Sequence, residues 1–232
     1  MKGTSFAQKG ILSWPPEERP RERIFKQGAR ALSDAELLAL LLRNGVKGKD
    51  VLALARELLA QFGGIRGLFA EDNRNLFKVK GLGPAKVSTL LAVSEIAKRR
   101  QLEEAIGKNV LRDPQAVISY LFSALRDQKR EVFKVLFLNK ANCVIAEKDL
   151  FHGTVDETAV HPREVVQAAL DFHATGLILV HNHPSGRIQP SREDSEMTRK
   201  LQAACETIGV RILDHIIIGD NQYFSFSEQH LL

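Results

Sequence analysis

The chain has 232 residues, of which 44% are hydrophobic and 26% charged, a balance that excludes disordered, collagen-like and low-complexity proteins. No apolar run reaches the roughly 18 residues of a membrane span, and the first residues lack the apolar stretch of a signal peptide. We therefore expect a cytoplasmic protein without a membrane partner, whose two cysteines are reduced thiols.

Charge and histidine are distributed unevenly along the chain. Residues 1–109 contain 20 Lys and Arg against 12 Asp and Glu, whereas residues 110–232 contain 13 against 16. All seven histidines follow residue 150, so imidazole chemistry near neutral pH is confined to the second part. Between the parts, Gly107, Asn109 and Pro114 interrupt a helical pattern. The sequence therefore predicts two domains, 1–109 and 110–232, with the chemistry in the second.

The first domain is predicted to be helical. Residues 14–23 are rich in proline and charge, and we expect them to form an extended arm. A capping-box pattern at Ser33 precedes one apolar run, and Asp50 can cap a second helix. Pro84 suits the first position of a third helix, which is predicted to end at Arg100.

Two short glycine turns lie between these helices, at residues 45–48 and 81–84. The second resembles the hairpin of helix-hairpin-helix DNA-binding motifs, in which glycines let main-chain N–H groups approach a phosphate. The candidate nucleic-acid-binding residues, in the hairpin near 79–86, are Lys80, Gly81, Gly83 and Lys86. The alternative is that the glycines only permit a tight turn, although the basic surplus of this domain favours DNA as a partner.

The second domain alternates strands with helices. The predicted order is strand 132–138, strand 143–145, helix 162–173, strand 177–180, helix 192–207 and strand 210–218. This alternation indicates an α/β layered sheet.

The segment 180–194, VHNHPSGRIQPSRED, carries the chemistry. His181 and His183 are two residues apart where a buried strand ends, so their side chains point to the same side of the sheet. Asp194 follows a loop and lies in the first turn of a helix that Ser191 can cap. Two imidazoles and one carboxylate leave one position of a tetrahedral zinc site for water, as a catalytic site requires. We therefore predict one zinc ion per chain, bound by these three side chains.

The same segment resembles the JAMM motif of MPN+ metallopeptidases, in which His-Ser/Thr-His is followed by seven residues, Ser, two residues and Asp. Asn182 departs from the Ser or Thr of many members, but its side chain is expected to point away from the ion. Nearly the whole chain resembles the RadC family, which couples a helix-hairpin-helix region to a JAMM domain. This wider resemblance is carried by Trp14, Arg19-Pro20-Arg21-Glu22, Leu32-Ser33-Asp34 and Leu213-Asp214-His215.

The resemblance implies an α/β MPN domain of the JAB and cytidine-deaminase-like type, with a mixed sheet flanked by helices, preceded by a small all-α helix-hairpin-helix domain. It also implies a hydrolase, a zinc metalloprotease that cleaves peptide or isopeptide bonds of a peptide or protein substrate. A glutamate upstream of the motif would move a proton from water to the leaving amine. Glu131, just before the first core strand, matches that position, and Glu157 and Glu164 are its rivals.

The sequence is compatible with more than one role for Ser191 and for His215. Ser191 would donate a hydrogen bond to the reaction's oxyanion, cap its helix, or do both. His215, in an apolar strand, is expected to be buried and hydrogen-bonded, with contact to the metal site as a further role. The alternative function is a DNA-binding factor associated with repair or recombination, whose metal site is vestigial or not a peptidase.

Overall fold

The computed structural model describes residue 11 and residues 14–152 and 160–232. The chain divides into two compact units after Ile96. This division lies within a helix, Pro84–Ala105, whereas the sequence pattern places the boundary just beyond the end of that helix. Among the helices described, none is both long enough and apolar enough to cross a membrane.

The first unit is built from helices, as predicted. They are α1 Pro20–Gln27, α2 Asp34–Leu42, α3 Val51–Phe62, α4 Ile65–Phe69, α5 Asn73–Leu76 and the first part of α6 Pro84–Ala105. The side chain of Ser33 accepts a hydrogen bond from the main-chain nitrogen of Glu36, whose carboxylate accepts one from Ser33 in return. The side chain of Asp50 caps α3 by accepting a hydrogen bond from the main-chain nitrogen of Ala53. These two caps confirm the predicted starts of α2 and α3.

The prediction of an extended arm at residues 14–23 is wrong. A 3-10 turn spans Pro16–Glu18, and α1 begins at Pro20. Both prolines occupy the first position of a helical segment, where their fixed φ is favourable and the missing N–H has no partner to lose. The guanidinium of Arg19 donates to the carbonyl of Trp14 at 2.8 Å and ties the segment together.

The second unit contains a mixed five-stranded sheet in the order β2-β1-β3-β4-β5. Its elements are α7 Pro114–Leu125, β1 Val132–Leu138, β2 Val144–His152, α8 Pro162–Asp171, β3 Gly176–Asn182, α9 Arg192–Glu206, β4 Arg211–Ile218 and β5 Tyr223–Ser225. The pair β3 and β4 is parallel, and the other neighbours are antiparallel. The sequence pattern predicts a break at Pro114, whereas this proline begins α7. Strand β5, of three residues, is not predicted either.

Helices cover both faces of this sheet. On one face, buried residues of α7 such as Leu121 pack against Leu136 and Ile216. On the other, α8 and α9 pack against Val135 and Leu179. Successive side chains of a strand point to opposite faces, so β3 sends the side chain of His181 to the α8 and α9 face, with Leu179. The predicted mixed sheet flanked by helices is confirmed.

Candidate metal centre

Three separate segments of the second unit bring four side chains together. Glu131 precedes β1, His181 and His183 lie at the end of β3, and Asp194 lies in the first turn of α9. Strands β1 and β3 are antiparallel neighbours with Phe133 opposite His181, so the start of one lies beside the end of the other. One potential ligand atom from each of the four lies within 4.8 Å of the other three.

The spacing of the nitrogen and oxygen atoms fits a small divalent cation. Nε2 of His181 lies 3.0 Å from Nε2 of His183 and 3.2 Å from Oδ1 of Asp194. Nε2 of His183 lies 3.5 Å from Oδ2 of Asp194. Ligand atoms held about 2.0 to 2.1 Å from a tetrahedral zinc ion are about 3.3 Å from one another. These donors therefore need little rearrangement to share one ion.

Hydrogen bonds orient His183 and Asp194 toward the centre of the group. Nδ1 of His183 lies 2.9 Å from the carbonyl oxygen of Arg187. Since a carbonyl only accepts, Nδ1 carries the proton of the neutral ring and Nε2 presents its lone pair to the group. Oδ2 of Asp194 accepts from the main-chain nitrogen of Ser191 at 2.7 Å, which leaves Oδ1 for a ligand.

The electrostatics of the group keep Asp194 ionised. Burial alone would raise the pKa of this carboxyl, but hydrogen bonds with His181 and His183 outweigh it and hold the pKa well below its usual range. The pKa of His183 is raised, first by its hydrogen bond with Asp194 and against the effect of burial. A negative carboxylate beside two imidazoles is a site that attracts a cation.

The helix cap predicted for Ser191 is present. Its hydroxyl oxygen accepts from the main-chain nitrogen of Asp194 at 3.0 Å, and the hydroxyl donates to Oδ2 of Asp194 at 2.7 Å. A serine hydroxyl has a single proton, so donation to an oxyanion would replace the bond to Asp194. The oxyanion role therefore remains a prediction, while the cap is observed.

Of the three glutamates considered, the structure places Glu131 in the group. Its Oε1 lies 3.7 Å from Nε2 of His181. The Glu131 side chain is 30% exposed, against 10% for Asp194, so it has the better access to solvent protons. Glu164 is exposed in the first turn of α8 and is not part of the group. Glu157 lies outside the described residues.

Asn182, between the two histidines, stays out of the ligand group. Its side chain is buried, and its Nδ2 donates to the carbonyl oxygens of Gln128 and Arg130 at 3.3 and 3.1 Å. The departure from the Ser or Thr of the JAMM motif therefore leaves the candidate ligand group unchanged. The asparagine side chain instead forms hydrogen bonds to the loop that carries Glu131.

His215 of β4 is buried and hydrogen-bonded, as predicted. Its Nε2 lies 2.8 Å from Nδ1 of His181, and its Nδ1 lies 2.6 Å from Oγ1 of Thr198. Burial lowers the pKa of His215 well below its ordinary value, so the ring is neutral. Thr198 was missed by the sequence interpretation, although a position four residues after Asp194 on the same helix face was a usable signal.

The candidate nucleic-acid-binding residues lie where the two glycine turns of the first unit meet. Gly81 has a φ of +102°, and a Cβ there would come within 2.7 Å of the side chain of Val46, so only glycine fits. Nζ of Lys86 donates to the carbonyl oxygen of Gly45 at 3.4 Å, whereas Lys80 is exposed. Gly83, also exposed, immediately precedes α6. Of the two lysines, Lys80 is the one turned to solvent.

Comparison with known families identifies the class to which this architecture and site belong. Residues 111–231 match the model of the RadC-like JAB domain, and residues 11–88 match the UPF0758 N-terminal model. The second unit is thus a JAB domain with a potential metal-binding cluster.

Individual relatives extend over nearly the whole chain. A UPF0758 protein of Photobacterium profundum is 50% identical over 216 residues, 93% of this chain and 96% of the relative. One of Pseudomonas fluorescens is 49% identical over 218 residues, 94% of this chain and 97% of the relative. One of Thioalkalivibrio sulfidiphilus is 48% identical over 222 residues, 96% of this chain and 99% of the relative. The chain belongs to the RadC family of UPF0758 proteins.

Proposed function

We propose that this protein is a zinc-dependent hydrolase of peptide or isopeptide bonds, with a JAMM-type active site. The observation that carries the proposal is the convergence of Glu131, His181, His183 and Asp194 from three segments, with ligand atoms within 4.8 Å of one another. The JAB domain to which they belong supports the same assignment.

The donor set favours zinc over the common hard cations. Imidazole nitrogens suit zinc, copper, iron and nickel, whereas magnesium and calcium prefer sites made of oxygen ligands. Two histidines and one carboxylate are a ligand set of catalytic zinc sites, which keep a fourth position for water or substrate. His181, His183 and Asp194 would therefore hold one zinc ion per chain.

A zinc ion at this site would lower the pKa of a bound water to about 7 and polarise the substrate carbonyl. The protein's own contribution is proton transfer and orientation. The carboxylate of Glu131 accepts a proton from the attacking water and returns it to the departing amine. The hydroxyl of Ser191 donates a hydrogen bond to the carbonyl oxygen as negative charge develops there, in place of its bond to Asp194.

Glu131 can take part in the site in two different ways, and a single variant separates them. If Glu131 is the proton carrier, Glu131→Gln keeps one zinc per chain while hydrolysis is lost. If Glu131 is a fourth ligand, the site is closed, as in structural zinc sites, and the same variant loses zinc affinity. Glu164→Gln is the matched control, because it makes the same chemical change on an exposed glutamate outside the group.

Metal analysis and a substrate screen test the proposal directly. The purified protein should contain about one zinc per chain, and His181→Ala or Asp194→Ala should remove it. Zinc-loaded protein is then incubated with peptide and isopeptide libraries, with Glu131→Gln as the inactive control. Cleavage by the parent chain that is absent from this control supports the proposal. A centre with two metals, a centre with none, or cleavage that survives Glu131→Gln contradicts it.

DNA association of the helical unit is a second proposed function, independent of the metal centre. It is favoured by the contact between the two glycine turns and by the exposed Lys80 beside them. Clustered positive charge next to main-chain N–H groups is suited to a phosphate. DNA would then bring the hydrolase to its place of action.

A further inference from the structure

We propose that Thr198 and His215 are positioning residues that fix the ring proton of His181 on Nδ1, so that its Nε2 lone pair is directed at the metal centre. The inference rests on the proposed function in taking the group as a zinc site. Neither residue contacts the reacting atoms in this proposal, and both act through His181.

The direction of the first hydrogen bond follows from Thr198. Its Oγ1 lies 2.6 Å from the main-chain carbonyl oxygen of Asp194, one helical turn earlier, and 2.6 Å from Nδ1 of His215. The carbonyl has no proton to give, so the single hydroxyl proton of Thr198 must lie between these two oxygens. The hydroxyl oxygen is then an acceptor toward His215.

The second hydrogen bond is fixed by the first. Since Thr198 accepts, Nδ1 of His215 must carry a proton. The ring of His215 is fully buried and its two nitrogens contact His181 and Thr198 rather than a carboxylate, so it has only one such proton and its Nε2 holds a lone pair. The opposite tautomer would place two acceptors, Nδ1 and Oγ1, 2.6 Å apart without a proton between them.

The third hydrogen bond transmits this choice to the metal ligand. Nε2 of His215 lies 2.8 Å from Nδ1 of His181, and as an acceptor it requires a proton on that nitrogen. The Nε2 atoms of His181 and His183 then face each other at 3.0 Å as two lone pairs. A zinc ion bound to both nitrogens would use these two lone pairs.

Two pairs of matched variants separate hydrogen bonding from packing. Thr198→Val keeps the shape and removes the hydroxyl, whereas Thr198→Ser keeps the hydroxyl. His215→Phe keeps a ring without hydrogen bonds, whereas the amide of His215→Gln can accept from His181 and donate to Thr198. Thr207→Val is the external control, because it removes the hydroxyl of the residue that follows α9, which donates to the carbonyl oxygen of Ala204. Zinc affinity is measured on the full chain by competition with a chromophoric chelator.

Outer partners of metal-bound histidines typically contribute about 10- to 100-fold to metal affinity. We therefore expect Thr198→Val and His215→Phe to weaken zinc binding by about that factor. Thr198→Ser, His215→Gln and Thr207→Val should remain near the parent value. Parent-like affinity in Thr198→Val, or equal losses in the two members of each pair, would overturn the proposal.

Nitrogen-15 NMR of the histidine rings decides the tautomers in the unmodified chain, even if a variant fails to fold. Zinc-loaded protein should show a proton on Nδ1 of both His181 and His215, with Nε2 of His215 bare. A proton on Nε2 of His215 would overturn the proposal. If no zinc binds, the proposed function fails, and the same spectrum of the metal-free chain still tests the proton on His215. If zinc binds but no peptide is cleaved, the peptidase fails while the positioning role stands.

Discussion

The side-chain oxygen of Asn182 accepts a hydrogen bond from the main-chain nitrogen of Val132 at 2.9 Å. Because the same amide also donates to the carbonyl of Arg130, Asn182 holds the main chain on both sides of Glu131. A residue between two proposed zinc ligands thus fixes the segment that carries the proposed proton carrier.

Asn182→Ser should destabilise the second unit although it restores a residue common in the JAMM motif. Serine cannot reach all three main-chain groups, and the buried N–H of Val132 would cost about 1 to 3 kcal/mol if it were left without a partner. We expect a lower unfolding midpoint in urea, with zinc affinity close to that of the parent because the ligands are untouched. Asn44→Ser, at an exposed position of the first unit, is the control. An unchanged midpoint in Asn182→Ser would show that the three bonds contribute little.

The residues predicted from sequence are those whose arrangement depends on short spacing. His181 and His183 share a face because strand side chains alternate, and Ser191 and Asp194 form a cap within one turn. Both patterns persist in any fold that contains the strand and the helix. Glu131 required the family resemblance, because its nearness to His181 depends on the pairing of β1 with β3.

The supporting residues depend on sheet order and register, which local patterns do not encode. His215 reaches His181 because β4 is parallel to β3, with Leu179 opposite His215. A one-residue shift would turn His215 to the other face. Helix α1 escapes prediction for a different reason. Proline is unfavourable inside a helix but favourable at its first position, so a proline-rich segment is compatible with either structure.

Zinc affinity should depend on pH through His183. Its pKa in the metal-free protein is raised, chiefly by the hydrogen bond with Asp194, so below that pKa a zinc ion must displace a proton. Affinity should then fall about tenfold for each pH unit below it and level off above it. Asp194 adds no slope near neutral pH, because its pKa lies well below the usual range. Chelator competition across about pH 5.5 to 8.5 measures the profile, and a flat profile would contradict it.

Substitutions of Ser191 can separate helix capping from catalysis. Ser191→Ala should lower stability by about 0.5 to 2 kcal/mol, whereas Ser191→Gly should cost only a few tenths, because glycine is tolerated at this position. Neither variant offers a hydroxyl, so both should lower kcat by about 100- to 1000-fold if the proton is donated to the oxyanion. The zinc content of both variants is measured as a control and should equal that of the parent chain. A stable glycine variant with parent-like kcat would restrict Ser191 to the cap.

DNA binding by the helical unit should depend on Lys80. Phosphate contacts release counterions, so affinity for duplex DNA should fall steeply with salt. Lys80→Glu should weaken binding and reduce the slope of log affinity against log salt by about one. Lys148→Glu makes the same charge change at an exposed position of the second unit and should have a smaller effect.

Lys86 should behave differently from Lys80 in the same assay. Its ammonium group donates to the carbonyl of Gly45, and burial lowers its pKa. This hydrogen bond connects the two glycine turns, so Lys86 has a structural role that Lys80 lacks. Lys86→Met should therefore lower the unfolding midpoint of the first unit as well as weaken DNA binding, whereas Lys80→Glu should leave the midpoint unchanged. If the chain does not bind DNA at low salt, or if Lys80→Glu and Lys148→Glu weaken it equally, the hairpin serves only to join helices.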